Sequence, residues 1–249
     1  MAMQSEGRYY DLHSHILPGM DDGYRSCERS AEALRLSVEQ GVAGMMATSH
    51  YYPKETVGRF LERREAAYQS LMAYLEKEGS PAPELCLGAE VAYHSGLIYE
   101  ERLEGLCLGA SRYLLLEMPF SKWAPSVLRD VQAMRSVRGI TPVIAHVERY
   151  WQMQDKRTMA SLLDMDVLIQ MNAEVFLAPR TRRMARKLLK QGVVQVMGSD
   201  THNLDSRPPN LGLALQELES GRLAEYCEEV NRHSRRVFKA AQGKGEKRA

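Results

Sequence analysis

Seven short apolar runs recur along the chain, separated by stretches of helical spacing, and this alternation limits the fold more than any other feature. The runs are RYYDLH, VAGMMATS, ELCLGAEV, RYLLLEM, TPVIAHV, DVLIQMN and VVQVMGS. Each is rich in aliphatic, aromatic or β-branched residues over a strand-like length, as in a strand buried on both faces. Between them the spacing predicts helices over 27–40, 54–77, 125–138, 156–163, 179–191 and 211–220, with 223–241 closing the chain. Ser26 is a capping candidate for the first helix, and the stretch from 94 to 109 carries no clear pattern. Strands that alternate with helices imply a parallel sheet. Seven such units suit a closed or nearly closed barrel, with an open doubly wound sheet as the alternative.

No repeat, low-complexity block or Pro/Gly/Ser linker divides the 249 residues, so the chain reads as one domain with a core over about 9–240. The basic, glycine-containing tail 242–249 reads as a frayed end. Lys plus Arg number 33 against 32 Asp plus Glu, a balance that offers no electrostatic ground for binding nucleic acid or an anionic membrane. Cys27, Cys86, Cys107 and Cys227 form no CxxC pair, which argues against a zinc ribbon and a disulfide-stapled domain. Neither a membrane-spanning apolar run nor the apolar core of a signal peptide is present. These features predict a reducing, cytoplasmic setting without membrane insertion. The charged segment FLERREAA reads as a solvated helix face, so no oligomeric state follows from it.

The polar residues are not scattered. His13 and His15 end the first run, His50 the second, Glu90 the third, Glu117 the fourth and His146 the fifth. Asn172 ends the sixth, and Asp200 and His202 follow the seventh. In a parallel barrel these ends share one mouth, where the catalytic groups of such barrels lie. Taken singly, each has a plain structural explanation: HxH as a surface pair, Glu90 or Glu117 at a helix N-terminus, His146 in a loop ion pair with Glu148 and Arg149, Asp21 and Asp22 as a turn before Gly23. Their convergence at one rim favours a metal site. Residues two apart on a strand share a face, so His13 and His15 can chelate one ion, with Asp11 in support behind them. Imidazole mixed with carboxylate suits Zn, Mn or Fe(II) better than Ca or Mg. The donors exceed what one ion needs, so two or three ions are expected. Adjacent ions about 3.5–4 Å apart can generate a hydroxide nucleophile and clamp a phosphoryl group. His94 and His233 lie outside the set and read as exposed loop and helix residues.

The stretch DLHSHILPGMDDG resembles the signature of PHP-domain phosphoesterases, and within them the bacterial protein-tyrosine phosphatases of capsule and exopolysaccharide clusters, the CpsB/CapC (YwqE-like) family. The similarity covers about residues 9–240 and includes MMATSH, LGAE, RYLLLEMPF, GITPVIAHVERY and MGSDTHNLDSRPP. It implies a distorted (β/α)7 TIM-like barrel, the PHP fold, with three divalent ions, manganese first and iron, zinc or magnesium as alternatives. By resemblance His13, His15, Glu90 and Asp200 would hold one ion. Glu90 would bridge to a second, completed by Glu117 and His146, and Asp22, His50 and His202 would hold the third. Arg149 and Arg207 match the family's phosphate-binding arginines, a role to which a planar guanidinium fork is suited. Many relatives carry His or Asn after TSH or TPH, where this chain has Tyr51 and Tyr52.

The reaction implied is phosphomonoester hydrolysis, with a metal-activated hydroxide attacking phosphorus in line while metals and arginines neutralise the equatorial oxygens. A tyrosinate leaving group, of conjugate-acid pKa about 10, requires no dedicated general acid. The cysteine-dependent alternative is excluded: Ala33, Ala92, Tyr113 and His233 stand six residues after the cysteines, so no Cys-x5-Arg loop exists. A histidinol-phosphate phosphatase or a PHP-type nuclease would use nearly the same metals, and a metal-stabilised scaffold would be expected to lose ligands that this chain keeps. The expected partner is a phosphotyrosine protein, the tail of a capsule-type bacterial tyrosine kinase.

Overall fold

The computed structural model describes residues 8–243. Residues 242 and 243 form a turn after the last helix, and the rest of the tail expected to fray lies outside the described residues. In chain order the elements are β1 (Tyr9–Ser14), α1 (Cys27–Glu39), β2 (Val42–Ala47), β3 (His50–Tyr51), α2 (Val57–Glu78), β4 (Glu84–Leu87), β5 (Glu90–Ala92) and β6 (Tyr113–Glu117). There follow α3 (Pro125–Arg138), β7 (Thr141–Ile144), α4 (Lys156–Leu163), β8 (Leu168–Asn172), α5 (Glu174–Leu177), α6 (Arg182–Lys190), β9 (Val196–Gly198), α7 (Leu211–Glu219) and α8 (Ala224–Ala241). The unpatterned region 94–109 forms two single 3-10 turns, Leu97–Tyr99 and Leu103–Leu106. Helix ends follow local chemistry. Ser26, Thr56 and Asp155 each accept a backbone N–H three residues on, and Gly79 and Gly139 end α2 and α3 in the left-handed region.

All strands pair in parallel, as β1-β2-β4 on one side and β3-β5-β6-β7-β8-β9 on the other. The second and third predicted strands each break near the mouth, at Thr48–Ser49 and Gly88–Ala89. Thr48 Oγ1 accepts from Ser14 N at 3.0 Å, while Glu90 N donates to Thr48 O at 3.1 Å. Beyond the breaks His50 and Glu90 stand in register with each other in the second sheet. The ring closes between the first and last strands: Ser14 bridges Thr201, Asp200 N donates to His13 O at 2.8 Å, and His15 N donates to Thr201 O at 3.0 Å. The result is a distorted seven-stranded α/β barrel.

Two apolar layers hold it. Outside, Leu34, Leu114, Leu116, Ile144, Ile169 and Met197 belong to the buried layer between strands and helices. Inside, Leu12, Met46, Leu115, Val143 and Val196 fill the barrel, and Phe238 of α8 plugs the end opposite the mouth. Gly44 makes room for that plug, since a Cβ there would lie 2.7 Å from the Phe238 ring. Packing a Phe against β1 and β2 closes the floor, so the mouth is the polar end.

Candidate metal centre

Alternation along β1 is interrupted at the point where the site begins. Leu12 packs inward, yet His13 also points into the mouth, because the pairing with β2 slips between Asp11 and Ser14. Asp11 is the pin: its Oδ1 accepts from His13 N at 3.1 Å and Ser199 N at 2.9 Å. The expectation that Asp11 backs an imidazole is therefore corrected, since it holds the backbones of two rim strands instead. Burial raises the Asp11 carboxyl to about 6, against the lowering effect of its Ser199 contacts. Gln170 does what Asp11 was expected to do, with Oε1 3.3 Å from His13 Nδ1 and accepting from His146 N at 2.6 Å.

The structure brings His13, His15, Asp22, His50, Glu90, Glu117, His146, Asp200 and His202 to one mouth. Around Glu90 Oε2 stand His13 Nε2, His15 Nε2 and His50 Nδ1, each at 3.1 Å. Asp200 Oδ1 lies 3.4 Å from both His13 Nε2 and His15 Nε2. On the other Glu90 oxygen, His146 Nε2 stands at 2.8 Å, and 3.5 Å from Glu117 Oε1. Asp22, the most exposed of the set, faces His50 Nε2 at 3.6 Å and His202 Nε2 at 3.4 Å. Three donor groups within mutual reach result: His13, His15, Glu90 and Asp200; His15, Asp22, His50 and His202; and His50, Glu90 and Glu117. His15 and His50 thus each border two groups, where the resemblance assigned each to one.

These residues fit cations. His15 Nδ1 pairs with Asp21 Oδ2 at 2.8 Å, His13 Nδ1 with Gln170, and His202 Nδ1 with the Asp200 carbonyl at 2.8 Å. Each pairing puts the ring proton on Nδ1 and leaves Nε2 as a lone pair. The Nε2 atoms of His13 and His15 then face each other at 3.2 Å beside two carboxylate oxygens, a repulsive set unless a cation lies between them. Ligands about 2.0–2.1 Å from one ion at tetrahedral angles are themselves about 3.3–3.4 Å apart, close to the spacing seen. His202 Nε2 is buried without a hydrogen-bond partner. Five carboxylates, Asp21, Asp22, Glu90, Glu117 and Asp200, crowd this rim, and Arg149 and Arg207 both contact the same one, Asp200.

Without a cation, protons carry the balance. Burial opposes charge on His15, but Asp200, Asp21 and Glu90 outweigh it and raise the imidazole well above its ordinary value. Burial likewise opposes charge on His146, and Glu117 and Glu90 prevail, to about 9. Burial and the neighbouring His15 lower His202 to about 4. Burial would raise Glu90 and Asp200, but the facing imidazoles, His13 foremost, hold both well below the usual carboxylate range.

Arg149 and Arg207 complete the rim. Their Nη2 atoms donate to one oxygen, Asp200 Oδ2, at 2.8 and 2.7 Å, and Asn172 Nδ2 donates to it at 2.8 Å. Arg149 therefore pairs with Asp200, and His146 with Glu90 and Glu117, which sets aside the local His146–Glu148–Arg149 ion pair. Among the described residues, only Arg102, His146 and Asp200 hold positive φ without being glycine, and two of them are in this site. Such backbone costs about 1–3 kcal/mol each and is retained where the surroundings enforce it. Gly198 permits the close approach of β9, since a Cβ there would come within 2.8 Å of His13 N. His94 and His233 lie outside the cluster, half-buried rather than exposed.

Asp21, half of a turn before Gly23 in the sequence pattern, also fixes two ligand segments of the site. It accepts from His15 Nδ1, from His50 N at 2.8 Å and from Gly23 N at 2.9 Å, so it positions the His15 imidazole and the backbone of His50. Asp21→Ala is expected to lower metal affinity about 10–100-fold with the fold intact, read by titrating purified protein with Mn2+ and measuring bound metal. Unchanged affinity would reduce Asp21 to an ordinary turn residue.

Residues 9–237 match the family described as capsular polysaccharide synthesis, CpsB/CapC. The tyrosine-protein phosphatase CpsB of Streptococcus pneumoniae is 33% identical over 216 residues, covering 80% of this chain and 85% of the relative. The tyrosine-protein phosphatase YwqE of Bacillus subtilis is 29% identical over 218 residues, covering 84% and 83%. In three dimensions the chain superposes with TM-score 0.81 and 24% identity on a solved structure from the YwqE of B. subtilis and CpsB of S. pneumoniae pair, described as metal-dependent tyrosine phosphatases. The superposition spans 92% of this chain and 94% of the other, which shows that the barrel is the same fold.

Proposed function

The chain belongs to the CpsB/CapC family of capsular polysaccharide synthesis, and from that premise we propose that its rim cluster hydrolyses phosphotyrosine on a protein substrate. It is a metal-dependent protein-tyrosine phosphatase, the activity its curated relatives carry in their names. The observation that carries the proposal is the pairing of the lone-pair cluster with two guanidiniums hung from the outer oxygen of Asp200. Cations on one side and a guanidinium fork on the other define a receptor for a phosphoryl dianion.

We assign three divalent ions to the cluster, manganese first. His13, His15, Glu90 and Asp200 would hold one; Glu90, Glu117 and His146, with His50 at their edge, a second; and Asp22, His50 and His202 a third. When bound, such ions polarise phosphoryl oxygens and lower the pKa of water enough to supply a nucleophile near neutral pH. The protein's own part is positional. Asp21, Gln170 and the Asp200 carbonyl fix three imidazole tautomers, so the donor nitrogens need no reorganisation. Asp200 divides its labour, with Oδ1 toward the histidines and Oδ2 toward Arg149, Arg207 and Asn172, which locks phosphate binding to metal geometry. The two guanidiniums, half-exposed, each give Nη2 to Asp200 and keep their other N–H groups for phosphoryl oxygens. Tyrosinate leaves without a dedicated acid, and we assign none.

We further assign the substrate as the tyrosine-bearing tail of a capsule-type tyrosine kinase, met in the cytoplasm; among the described residues no helix is long and apolar enough to cross a membrane. The test is phosphate release by protein of measured metal content, with and without chelator, from a phosphotyrosyl peptide and from histidinol phosphate. Chelator-sensitive turnover of the peptide is expected, and brisk turnover of histidinol phosphate with none of the peptide would overturn the assignment.

A further inference from the structure

We propose that Tyr52 and Phe120 form two aromatic walls that receive the phenyl ring of the substrate and so favour aryl over alkyl phosphate esters. This rests on the tyrosine-phosphatase reading of the same site. Large apolar side chains left in water are few here: Tyr52, Met72, Tyr99, Phe120, Val137 and Leu213 among the described residues. Two of them border the metal centre, and each is stacked on a histidine of it. The Tyr52 ring lies 5.1 Å from that of His50 at 27°, and the Phe120 ring 6.1 Å from that of His146 at 22°. His50 and His146 contact different oxygens of Glu90, so the two aromatic rings stand beside different imidazoles of the cluster.

Neither ring is loose. Phe120 leans on the buried Tyr150 at 5.4 Å, with the Arg149 guanidinium 5.9 Å from its centroid. The Lys54 ammonium lies 5.8 Å from the centroid of Tyr52. Tyr51, its neighbour in sequence, is turned the other way, into the core against Phe60 at 5.5 Å. The tyrosine pair is therefore split, one ring for packing and one left at the mouth. A cleft of about 630 Å³ opens beside Tyr52, lined also by Asp22, His50, Lys54 and Arg59, a volume in the range of small-ligand sites. A planar ring entering there with its phosphate toward the histidines would cover exposed aromatic carbon at the rim, and offset or edge contacts with ring walls favour it over an alkyl chain. An alkyl ester presents no such face.

The test separates ring recognition from the chemistry of the leaving group by measuring binding alone. Phenylphosphonate and methylphosphonate are titrated calorimetrically into metal-loaded wild type, Tyr52→Ala, Phe120→Ala and Phe120→Leu, with bound metal measured in each. Phenylphosphonate is expected to bind wild type more tightly than methylphosphonate does. Its affinity should fall about two- to tenfold in each alanine variant, and methylphosphonate should change less than twofold. Phe120→Leu, which keeps apolar bulk but not the ring, should fall in the same direction. Equal losses for both phosphonates would mean that the rings only brace His50, His146 and Arg149, and would overturn the proposal, as would no loss for either. If metal-loaded wild type releases no phosphate from a phosphotyrosyl peptide, the phosphatase reading itself fails, a result distinct from unchanged phosphonate selectivity in an active enzyme.

Discussion

Glu90→Gln is expected to reduce turnover of a phosphotyrosyl peptide by at least about 10³-fold, because one carboxylate serves every donor group but the outermost. Its Oε2 is 3.1 Å from three imidazole nitrogens and its Oε1 is 2.8 Å from a fourth. An amide is neutral and offers one acceptor oxygen, so the variant loses a bridging anion while keeping nearly the same volume. If charge stabilisation by the ions supplies several kcal/mol of the barrier reduction, a loss of about 4 kcal/mol corresponds to about 10³ in rate. Folding must be checked in parallel, since the side chain is buried and breaking a buried ion pair can cost about 3–5 kcal/mol. Circular dichroism, bound-metal analysis and kcat together decide the point. A folded variant that keeps its metal and works within tenfold of wild type would sink the assignment of Glu90. His13→Ala should behave similarly, and chelation of wild type should reproduce both.

Much of this site is legible in the chain because parallel-barrel strands end at one rim, and a rim of His, Asp and Glu is visible wherever strands are. His50, Glu90, Glu117 and His146 each close an apolar run, so their convergence follows from topology alone. The helices are legible for the same local reasons, down to Ser26 at the start of α1. What escapes is whatever depends on a distant contact. Strict alternation along β1 would place Asp11 beside His13, but the slip in pairing, held by Ser199 from the last strand, turns His13 inward and leaves Asp11 behind it. Gln170 shows nothing in sequence but a polar residue in a strand, and its task appears only when His13 and His146 close around it. Asp21 looks like half of an ordinary Asp-Asp-Gly turn; the turn is real, and its second carboxylate oxygen holds a histidine. Nor does the YY pair reveal which ring is core and which is rim, since the break at Thr48–Ser49 decides that.

Arg149 and Arg207 should prove strongly coupled rather than independent. Each donates to Asp200 Oδ2, and Asp200 Oδ1 in turn faces His13 and His15, so removing either guanidinium disturbs an anchor that the other uses. Loss of one preorganised donor to the transferring group costs about 10²–10³ in kcat, and Arg149→Ala and Arg207→Ala are each expected in that range on a phosphotyrosyl peptide. Two independent contributions would multiply in the double variant. Groups that share a partner depart from additivity by about 0.5–3 kcal/mol, so the double variant is expected to fall short of the product by about 10-fold or more. Arg149→Lys restores charge but not the planar fork and should recover only part of the loss. Binding of inorganic phosphate, measured by calorimetry on metal-loaded protein, should weaken in both single variants while bound metal stays constant. A double variant equal to the product of the singles would show that Asp200 is a bystander between two separate phosphate contacts. A double variant no worse than either single would mean that the pair grips phosphate as one unit, with Asp200 Oδ2 as its hinge.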